Sequence, residues 1–358
     1  MVGTKIAMVG TPCQIMAASK VQHYTKAPID FKIGLFCMEN FSYSYFQELL
    51  KQYNLTMAEI EKFRIEKGFA FLSLKSGKKM KIPLATAKTV VRKNCNVCVE
   101  LTSETSDISV GSIGSDTGWS TLIVRTEKGK RVIDGAIEKG FLKSKELKPS
   151  QLKLLERIAF NKAKTNYENI ELRESKSRPV LYQRKKTDKG VMAENSVSDF
   201  TDLRANVINV GSCVLCGACE YVCPEKMIII DDTKPRKKRG KCPEDCHLCF
   251  SVCPRTFIPE SLRNDMSKKV GEYKKILTVK SLKHNEGQDG VVVTTILDYL
   301  ISNNIVSDAL VIDKKENSPW KPVAILTKDI DEIVKASGTK YSVCPIFKAL
   351  KPLDEDVI

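Results

Sequence analysis

Residues 213–224 read CVLCGACEYVCP and residues 242–254 read CPEDCHLCFSVCP, so eight of the thirteen cysteines lie in two short runs. Each run has three closely spaced cysteines and a fourth that precedes a proline. The second run has one extra residue in its first gap. Three thiolates at this spacing can bind three corners of one cubane iron–sulfur cluster, and the fourth usually binds a second cluster.

The two runs therefore predict a bacterial-ferredoxin-like module with two 4Fe–4S clusters. A pair of zinc sites is the alternative, but zinc prefers two CxxC pairs separated by a longer loop. The loop between the runs carries KPRKKRGK at 234–241, which is either a solvated face or a docking site for an acidic redox partner. We assign one cluster to Cys213, Cys216, Cys219 and Cys253, and the other to Cys242, Cys246, Cys249 and Cys223.

The length and net charge of the chain indicate that the module is one part of a larger protein. The chain has 358 residues, enough for two or three domains, and a net charge of +15. No apolar run reaches the roughly 18 residues of a membrane span, and no secretion signal is recognisable, so we expect a cytoplasmic protein, either free or peripheral to a membrane complex. Without a nucleic-acid-binding motif, the charge indicates phosphorylated cofactors, an acidic partner or an anionic surface.

Two predicted strands near the N-terminus each lead into a cysteine. Residues 5–10 form an apolar run that continues into TPCQ and a helix, and residues 31–36 form a second run that ends at Cys37. Cys13 and Cys37 should therefore lie at the ligand-binding edge of a parallel sheet. With Cys95 and Cys98 they are numerous enough for a third cluster, although a redox pair or buried structural cysteines fit the pattern too.

Further strands and helices alternate along the chain. Residues 69–74 and 79–83 predict a hairpin, and residues 111–120 form a glycine- and serine-rich stretch without the ending of a Walker loop. Arg125 is either an anion contact or an exposed charge at a strand edge. Other strands are expected at 108–111, 121–126, 275–279 and 309–312, and helices at 128–140, 151–175, 291–300 and from a cap at Thr327 to 335.

Six motifs together resemble the coenzyme F420 hydrogenase/dehydrogenase beta-subunit family. The resemblance covers nearly the whole chain outside a basic linker. The motifs are GTPCQ (10–14), FCMEN (36–40), CNVC (95–98), DISVGSIGSDTGWSTLIVRT (107–126), GQDG (287–290) and GTKY (338–341).

The resemblance implies FAD and a 4Fe–4S cluster on Cys13, Cys37, Cys95 and Cys98. It names no catalytic residue with certainty, and Glu39 and Lys340 are the candidates to test. It also implies that the glycine-rich stretches at 111–120, 287–290 and 338–341 contribute to the flavin pocket. The full set of residues that we predict to bind the cofactor is Thr11, Pro12, Gln14, Asn40, Gly111, Ser112, Gly114, Ser115, Gly118, Trp119, Ser120, Arg125, Gly287, Gln288, Asp289, Gly290, Thr294, Gly338, Thr339, Lys340 and Tyr341.

The order of the motifs departs from the family, because the GTPCQ half comes first here. Either the protein is circularly permuted, with its termini close together, or the halves pair between chains. We expect an α/β fold of mixed sheets with flanking helices and an inserted α+β ferredoxin-like module. The expected parts are a C-terminal-type half (1–175), a linker (176–205), the module (206–262) and an N-terminal-type half (263–358).

The resemblance also implies an activity. Electrons would pass between coenzyme F420, which exchanges a hydride, and a partner by way of FAD and the clusters. The partner would be a hydrogenase, a formate dehydrogenase, a membrane dehydrogenase complex or a reductase. A ferredoxin-dependent reductase of another substrate, such as a chlorophyll-type hydroxymethyl group, and a non-catalytic electron-transfer module are the alternatives. The three histidines form no triad or metal pattern, so we do not expect hydrolysis.

Overall fold

A computed structural model describes most of the chain. The described residues are 4–66, 68–184, 199–231, 233–263, 268–284, 289–316, 318, 320–338 and 340–353. The strands are β1 (Ile6–Gly10), β2 (Ile29–Leu35), β3 (Ile60–Glu66), β4 (Phe69–Leu74), β5 (Lys79–Pro83), β6 (Ile108–Gly111), β7 (Ser120–Val124), β8 (Leu142–Glu146), β9 (Ile228–Ile230), β10 (Pro235–Lys237), β11 (Lys275–Ser281), β12 (Asp308–Lys314) and β13 (Pro322–Thr327).

The helices alternate with these strands in the two outer segments of the chain. They are α1 (Pro12–Tyr24), α2 (Tyr43–Lys51), α3 (Leu84–Lys88), α4 (Glu127–Glu138), α5 (Pro149–Glu174), α6 (Phe200–Leu203), α7 (Ala218–Tyr221), α8 (Leu248–Ser251), α9 (Asp289–Ser302) and α10 (Ile330–Lys335).

Eight strands form one mixed sheet in the order β13-β12-β1-β2-β6-β7-β11-β8. The centre, from β12 to β6, is parallel, and its strands are short apolar runs, as expected for strands covered on both faces. Residues alternate between two cores along β1: Ala7 and Val9 face α4 and α9, while Ile6 and Met8 face α1.

Both halves of the chain build this sheet. β1 pairs with β12 in parallel, and β11 lies between β7 and β8 in antiparallel pairing. The halves therefore associate within a single chain. The expectation that the termini lie close together concerns residues outside the described ranges.

A separate sheet, β3-β4-β5, contains the predicted hairpin at the predicted bounds. The six other predicted strands are present within two residues of their expected ends. Five strands were not predicted: β3, β8, β9, β10 and β13. Thr327 is wrong as the cap of α10: it ends β13, and the side chain of Asp329 caps the helix by accepting a hydrogen bond from the N–H of Asp331 at 2.8 Å.

The two cysteine runs lie in a compact region with repeated local structure. Each run places its third cysteine in a short helix, Cys219 in α7 and Cys249 in α8, and the β9–β10 hairpin joins the runs. Part of the predicted linker packs rather than spanning solvent, because Leu181 and Phe200 belong to the core of this region. Among the described helices, none is long and apolar enough to cross a membrane.

Candidate functional site

A cavity of about 420 Å³ lies at the carboxyl ends of β1, β2 and β6, where parallel sheets usually bind ligands. Its size is within the usual range of small-molecule sites. Both halves of the chain line it. The predicted site residues in its wall are Thr11, Gln14, Glu39, Asn40, Gly111, Ser112, Gly290, Thr294, Gly338, Lys340 and Tyr341.

The cavity wall combines apolar strands and helices with a few charged groups. The ammonium group of Lys340 donates hydrogen bonds to the carbonyls of Ala336 and Ser337, and burial lowers the pKa of this lysine to about 8. Glu39, the other candidate catalytic residue, lies 3.6 Å from Lys88. An anionic ligand would therefore meet a cation whose charge is lost near pH 8.

Two parts of the last segment, at Gly290 and Gly338, lie close together beside the cavity. A Cβ atom added to Gly290 would lie 2.7 Å from the N atom of Gly338, which is closer than such atoms come. Gly290 lies in the first turn of α9, where backbone N–H groups have no partner within the helix. This turn suits the polar part of a flavin, and the apolar wall from Val110, Val293 and Leu297 suits its ring, so the residues present fit the group.

Several predicted flavin contacts are not among the cavity-lining residues. Ser115 bonds to Thr121 at 2.7 Å, and Trp119 stacks under the ammonium of Lys145 at 4.3 Å. Gly287, Gln288 and Thr339 lie outside the described residues, and of Asp289 only the backbone is described. The predicted contacts that lie elsewhere are Pro12, Gly114, Ser115, Gly118, Trp119, Ser120 and Arg125.

Arg125 is wrong both as an anion contact in this cavity and as an exposed charge. Its guanidinium is buried and donates to Ser109 Oγ at 2.8 Å and to the carbonyls of Val270, Glu272 and Thr102 at 2.8–3.1 Å. These bonds tie the strands of the sheet to the segment before β11. Its role is structural.

The four cysteines of the first segment come together beside the cavity, and we call them the cavity set: Cys13, Cys37, Cys95 and Cys98. Burial raises the pKa of Cys37, and the thiols of Cys95, Cys13 and Cys98 add to the rise. Cys37 lines the cavity. The backbone N–H of Asn40 donates to the Cys95 sulfur at 3.3 Å, and its amide donates to the Cys37 sulfur at 3.5 Å.

The eight module cysteines separate into the two predicted groups. We call Cys213, Cys216, Cys219 and Cys253 the inner set: the pKa of Cys219 lies well above its usual value because of burial and then the other three thiols. We call Cys223, Cys242, Cys246 and Cys249 the outer set: all four line one small cavity. Backbone N–H groups donate to the sulfurs of Cys213, Cys216 and Cys253, as expected around thiolates that bind a cluster.

In the described part of the chain, no three His, Cys, Asp or Glu side chains are arranged to hold a single metal ion. That arrangement requires ligand atoms about 2.1–2.3 Å from one centre. A cubane instead takes each thiolate at a different iron, so its ligands lie further apart.

Three buried cations surround the cavity and inner sets, and sequence analysis missed all of them. Lys20 is fully buried and donates to the carbonyls of Cys253 and Phe257 at 2.6 and 2.8 Å and to the hydroxyl of Thr256 at 2.9 Å. Lys162, on α5, donates to the carbonyls of Cys37 and Glu100. Arg255 is 4% exposed.

Two of these cations favour the thiolate form of Cys98 in the cavity set. Burial alone would raise the pKa of Cys98, but Lys162 and Arg255 outweigh it and hold this pKa below its usual value. Buried charges are costly unless they are compensated, and negatively charged clusters would compensate these cations. The chemistry of the three sets therefore fits 4Fe–4S clusters.

The three sets follow one another in space. Cys13 of the cavity set lies close enough to Cys216 of the inner set for its thiolate to raise the pKa of Cys216, after burial and the other inner thiols. Cys249 of the outer set acts in the same way on Cys219. The order is thus the cavity, the cavity set, the inner set and the outer set.

Two family models match the chain. The model of the C terminus of the coenzyme F420 hydrogenase/dehydrogenase beta subunit matches residues 3–150. The model of the N terminus of the same subunit matches residues 277–351, so the two parts occur in reversed order.

Curated relatives share this similarity. The chain is 35% identical over 189 residues to the coenzyme F420 hydrogenase subunit beta of Methanococcus voltae, which covers 50% of this chain and 66% of that protein. It is 34% identical over 168 residues to the coenzyme F420-dependent sulfite reductase of Methanocaldococcus jannaschii, covering 42% and 27%. The chain thus spans less than two thirds of the length of these relatives.

A solved F420-reducing NiFe hydrogenase complex from Methanosarcina barkeri contains a chain that is 33% identical. The match covers 48% of this chain and 62% of that chain, with a TM-score of 0.45. From the matches to both parts of the family and the identity to its members, the chain belongs to the coenzyme F420 hydrogenase/dehydrogenase beta-subunit family, with its C-terminal part preceding its N-terminal part.

Proposed function

We propose that this protein is an F420-dependent oxidoreductase subunit that carries FAD and three 4Fe–4S clusters and exchanges electrons with a partner protein. In the overall reaction one reduced coenzyme F420 is oxidised, two one-electron acceptors are reduced and two protons are released, or the reverse. A bound flavin with its clusters supplies the conversion between hydride and single-electron chemistry.

The observation that carries this proposal is the position of Cys37. Cys37 lines the cavity that both halves of the chain form, and its thiol belongs to the cavity set. The inner and outer sets follow the cavity set in space. A hydride carrier held in the cavity would therefore lie beside the first of three one-electron sites.

The chain's own residues have three tasks in this proposal. Gly290 and Gly338 allow a ligand to approach the backbone, Lys340 provides a positive charge, and the apolar wall excludes water from the ring. Related chains named as a hydrogenase subunit, a sulfite reductase and subunits of F420H2 and formate dehydrogenases support the substrate class without choosing the partner.

Anaerobic purification followed by iron analysis and a flavin spectrum tests the proposal. About twelve irons and one FAD per chain are expected. Eight irons without flavin would overturn it in favour of a non-catalytic electron-transfer module. Oxidation of reduced coenzyme F420 with a viologen dye then separates F420 chemistry from a reductase of another substrate, which would leave the coenzyme unchanged.

A pair of glycine variants tests the position of the flavin. Gly290→Ala should lose FAD, because its Cβ would meet backbone 2.7 Å away. Gly118→Ala is the control, because its Cβ would enter open space and only its left-handed backbone, with φ of 80°, adds a cost of about 1 kcal/mol. Equal loss of FAD in both variants would contradict the assignment.

The pH dependence of flavin binding tests Lys340. This lysine is an ammonium below its pKa of about 8, so the affinity for an anionic ligand should fall as the pH rises through this value. The fall should be at most about tenfold per pH unit, and Lys340→Met should remove it. Fluorescence titration of FAD between about pH 6 and about pH 10 measures it, and an unchanged profile in the variant would exclude this role.

A further inference from the structure

Arg255 joins two parts of the molecule. It follows Cys253 and Pro254 in the module, yet its side chain reaches the loop of the cavity set. Its Nη2 atom donates to the carbonyl of Asn94 at 3.3 Å, and the guanidinium lies 4.7 Å from the ring centre of Tyr182. The residue is 4% exposed.

The electrostatic partners of Arg255 are cluster cysteines of both sets. The guanidinium donates a hydrogen bond to Cys98, lines one cavity with Cys13, and keeps its positive charge because arginine is not deprotonated in proteins. Its charge also acts on Cys253 and Cys213 of the inner set. The arginine is therefore a permanent cation between the cavity set and the inner set.

One donor of Arg255 is left without a partner by the protein. Among the described residues, no acceptor lies within hydrogen-bond distance of its buried Nε atom. The side chain lines a second cavity, of about 610 Å³, together with Cys13 and Cys98. A buried N–H without a partner costs about 1–3 kcal/mol, so a ligand acceptor at this point is expected. A sulfur of a bound cluster would be such an acceptor.

We propose that Arg255 is a positioning residue that raises the reduction potentials of the clusters on both the cavity set and the inner set. The inference rests on the cluster binding proposed above. Reduction adds one negative charge to a cluster, and a fixed cation in a poorly solvated interior stabilises the reduced form more than the oxidised form. Arg255 thereby makes both of these neighbouring sites easier to reduce than they would be without it.

Two other buried cations provide matched controls. Among the described residues, Lys162 acts mainly on the cavity set, through the carbonyl of Cys37 and the thiolates of Cys98, Cys37 and Cys95. Lys20 acts on the inner set, through the carbonyl of Cys253 and the charges of Cys253 and Cys216. Removal of Arg255 should therefore change two potentials, whereas removal of either lysine should change one.

The experiment is an anaerobic redox titration of the complete protein, followed by electron paramagnetic resonance. In Arg255→Gln, the ratio of reduced to oxidised cluster at a fixed potential should fall about tenfold at both the cavity and inner clusters, which is 59 mV for one electron. The outer cluster should not change. Lys162→Met should lower only the potential of the cavity cluster. Lys20→Met should lower only the potential of the inner cluster.

Unchanged potentials in Arg255→Gln, or an equal shift of all three, would overturn the inference. If this variant loses iron, Arg255→Lys decides. Retention of iron and of both potentials in the lysine variant supports a role of the charge, and loss of iron in both variants overturns it. Failure of the proposed function itself would appear separately, as wild-type protein without a third cluster signal.

Discussion

The inner and outer sets have nearly the same cysteine spacing and very different surroundings. Lys20, on a helix of the first segment, donates to the backbone carbonyl of Cys253, and Arg255 adds a second cation beside the inner set. Phe347, from the last segment, donates its N–H to the carbonyl of Cys216. The inner set is thus enclosed by all three segments of the chain.

The outer set is enclosed by the module and by α6 of the preceding segment, which packs against α8. Its small cavity is completed by residues of the module, including Met227, Ile228 and Lys237. The neighbouring side chains of Lys238 and Arg239 are exposed. Spacing therefore groups the cysteines, whereas the folding of distant segments decides which group is buried in the interior and which lies near the surface.

Removal of one cysteine from each set should give the largest difference. Cys216→Ser and Cys246→Ser should each lose about four irons, because a serine is a poor ligand for a cluster. Only the inner variant should also melt at a clearly lower temperature, since its set joins the module to the rest of the protein. Iron analysis and anaerobic thermal denaturation measure both effects, and equal losses of melting temperature would contradict the comparison.

The sequence predicted the grouping of the cysteines and most of the central sheet, because these depend on local spacing and on short apolar runs. It did not predict Lys20, Lys162 or Arg255 as cluster neighbours. Lys20 donates to an atom 233 residues further along the chain, so no local pattern could show that it is buried. A lysine within the apolar run of α1 was the available signal.

The cavity residues were likewise predicted where they depend on local sequence, and missed where they depend on contacts between distant segments. Gly111, Ser112 and Ile113 line the cavity, but Ser115 bonds to Thr121, and the later residues of the glycine-rich motif do not reach the cavity. An arginine near the end of a strand predicts an anion contact or an exposed charge, but Arg125 is buried. Its acceptors at Val270 and Glu272 come from a segment about 145 residues away, which only the fold brings near.

A matched pair of lysine variants should give the second largest difference. Lys20→Met keeps the length of the side chain but removes the donor to the carbonyls of Cys253 and Phe257, so the protein should lose about 2 kcal/mol of unfolding free energy. Lys238→Met changes an exposed side chain near the outer set and should cost less than about 0.5 kcal/mol. Anaerobic denaturant titration compares the unfolding free energies of the two variants. If Lys20→Met leaves this free energy unchanged, the inner set does not depend on Lys20 for its stability.

The smallest effect should be on the rate of electron exchange at the outer set. In Lys238→Glu/Arg239→Glu, transfer to a small acidic ferredoxin should slow several-fold at low salt, because this exposed basic loop would attract such a carrier. At about 0.5 M salt the rates of variant and wild type should converge, since charges on the two surfaces are then screened within a few ångströms. The control Lys78→Glu/Lys79→Glu makes the same change of charge at the β4–β5 turn and should leave the rate nearly unaltered. A slower rate that persists at high salt, or equal slowing in the control, would mean that electrons do not leave through this face, and the outer set would then be a terminal store rather than an outlet.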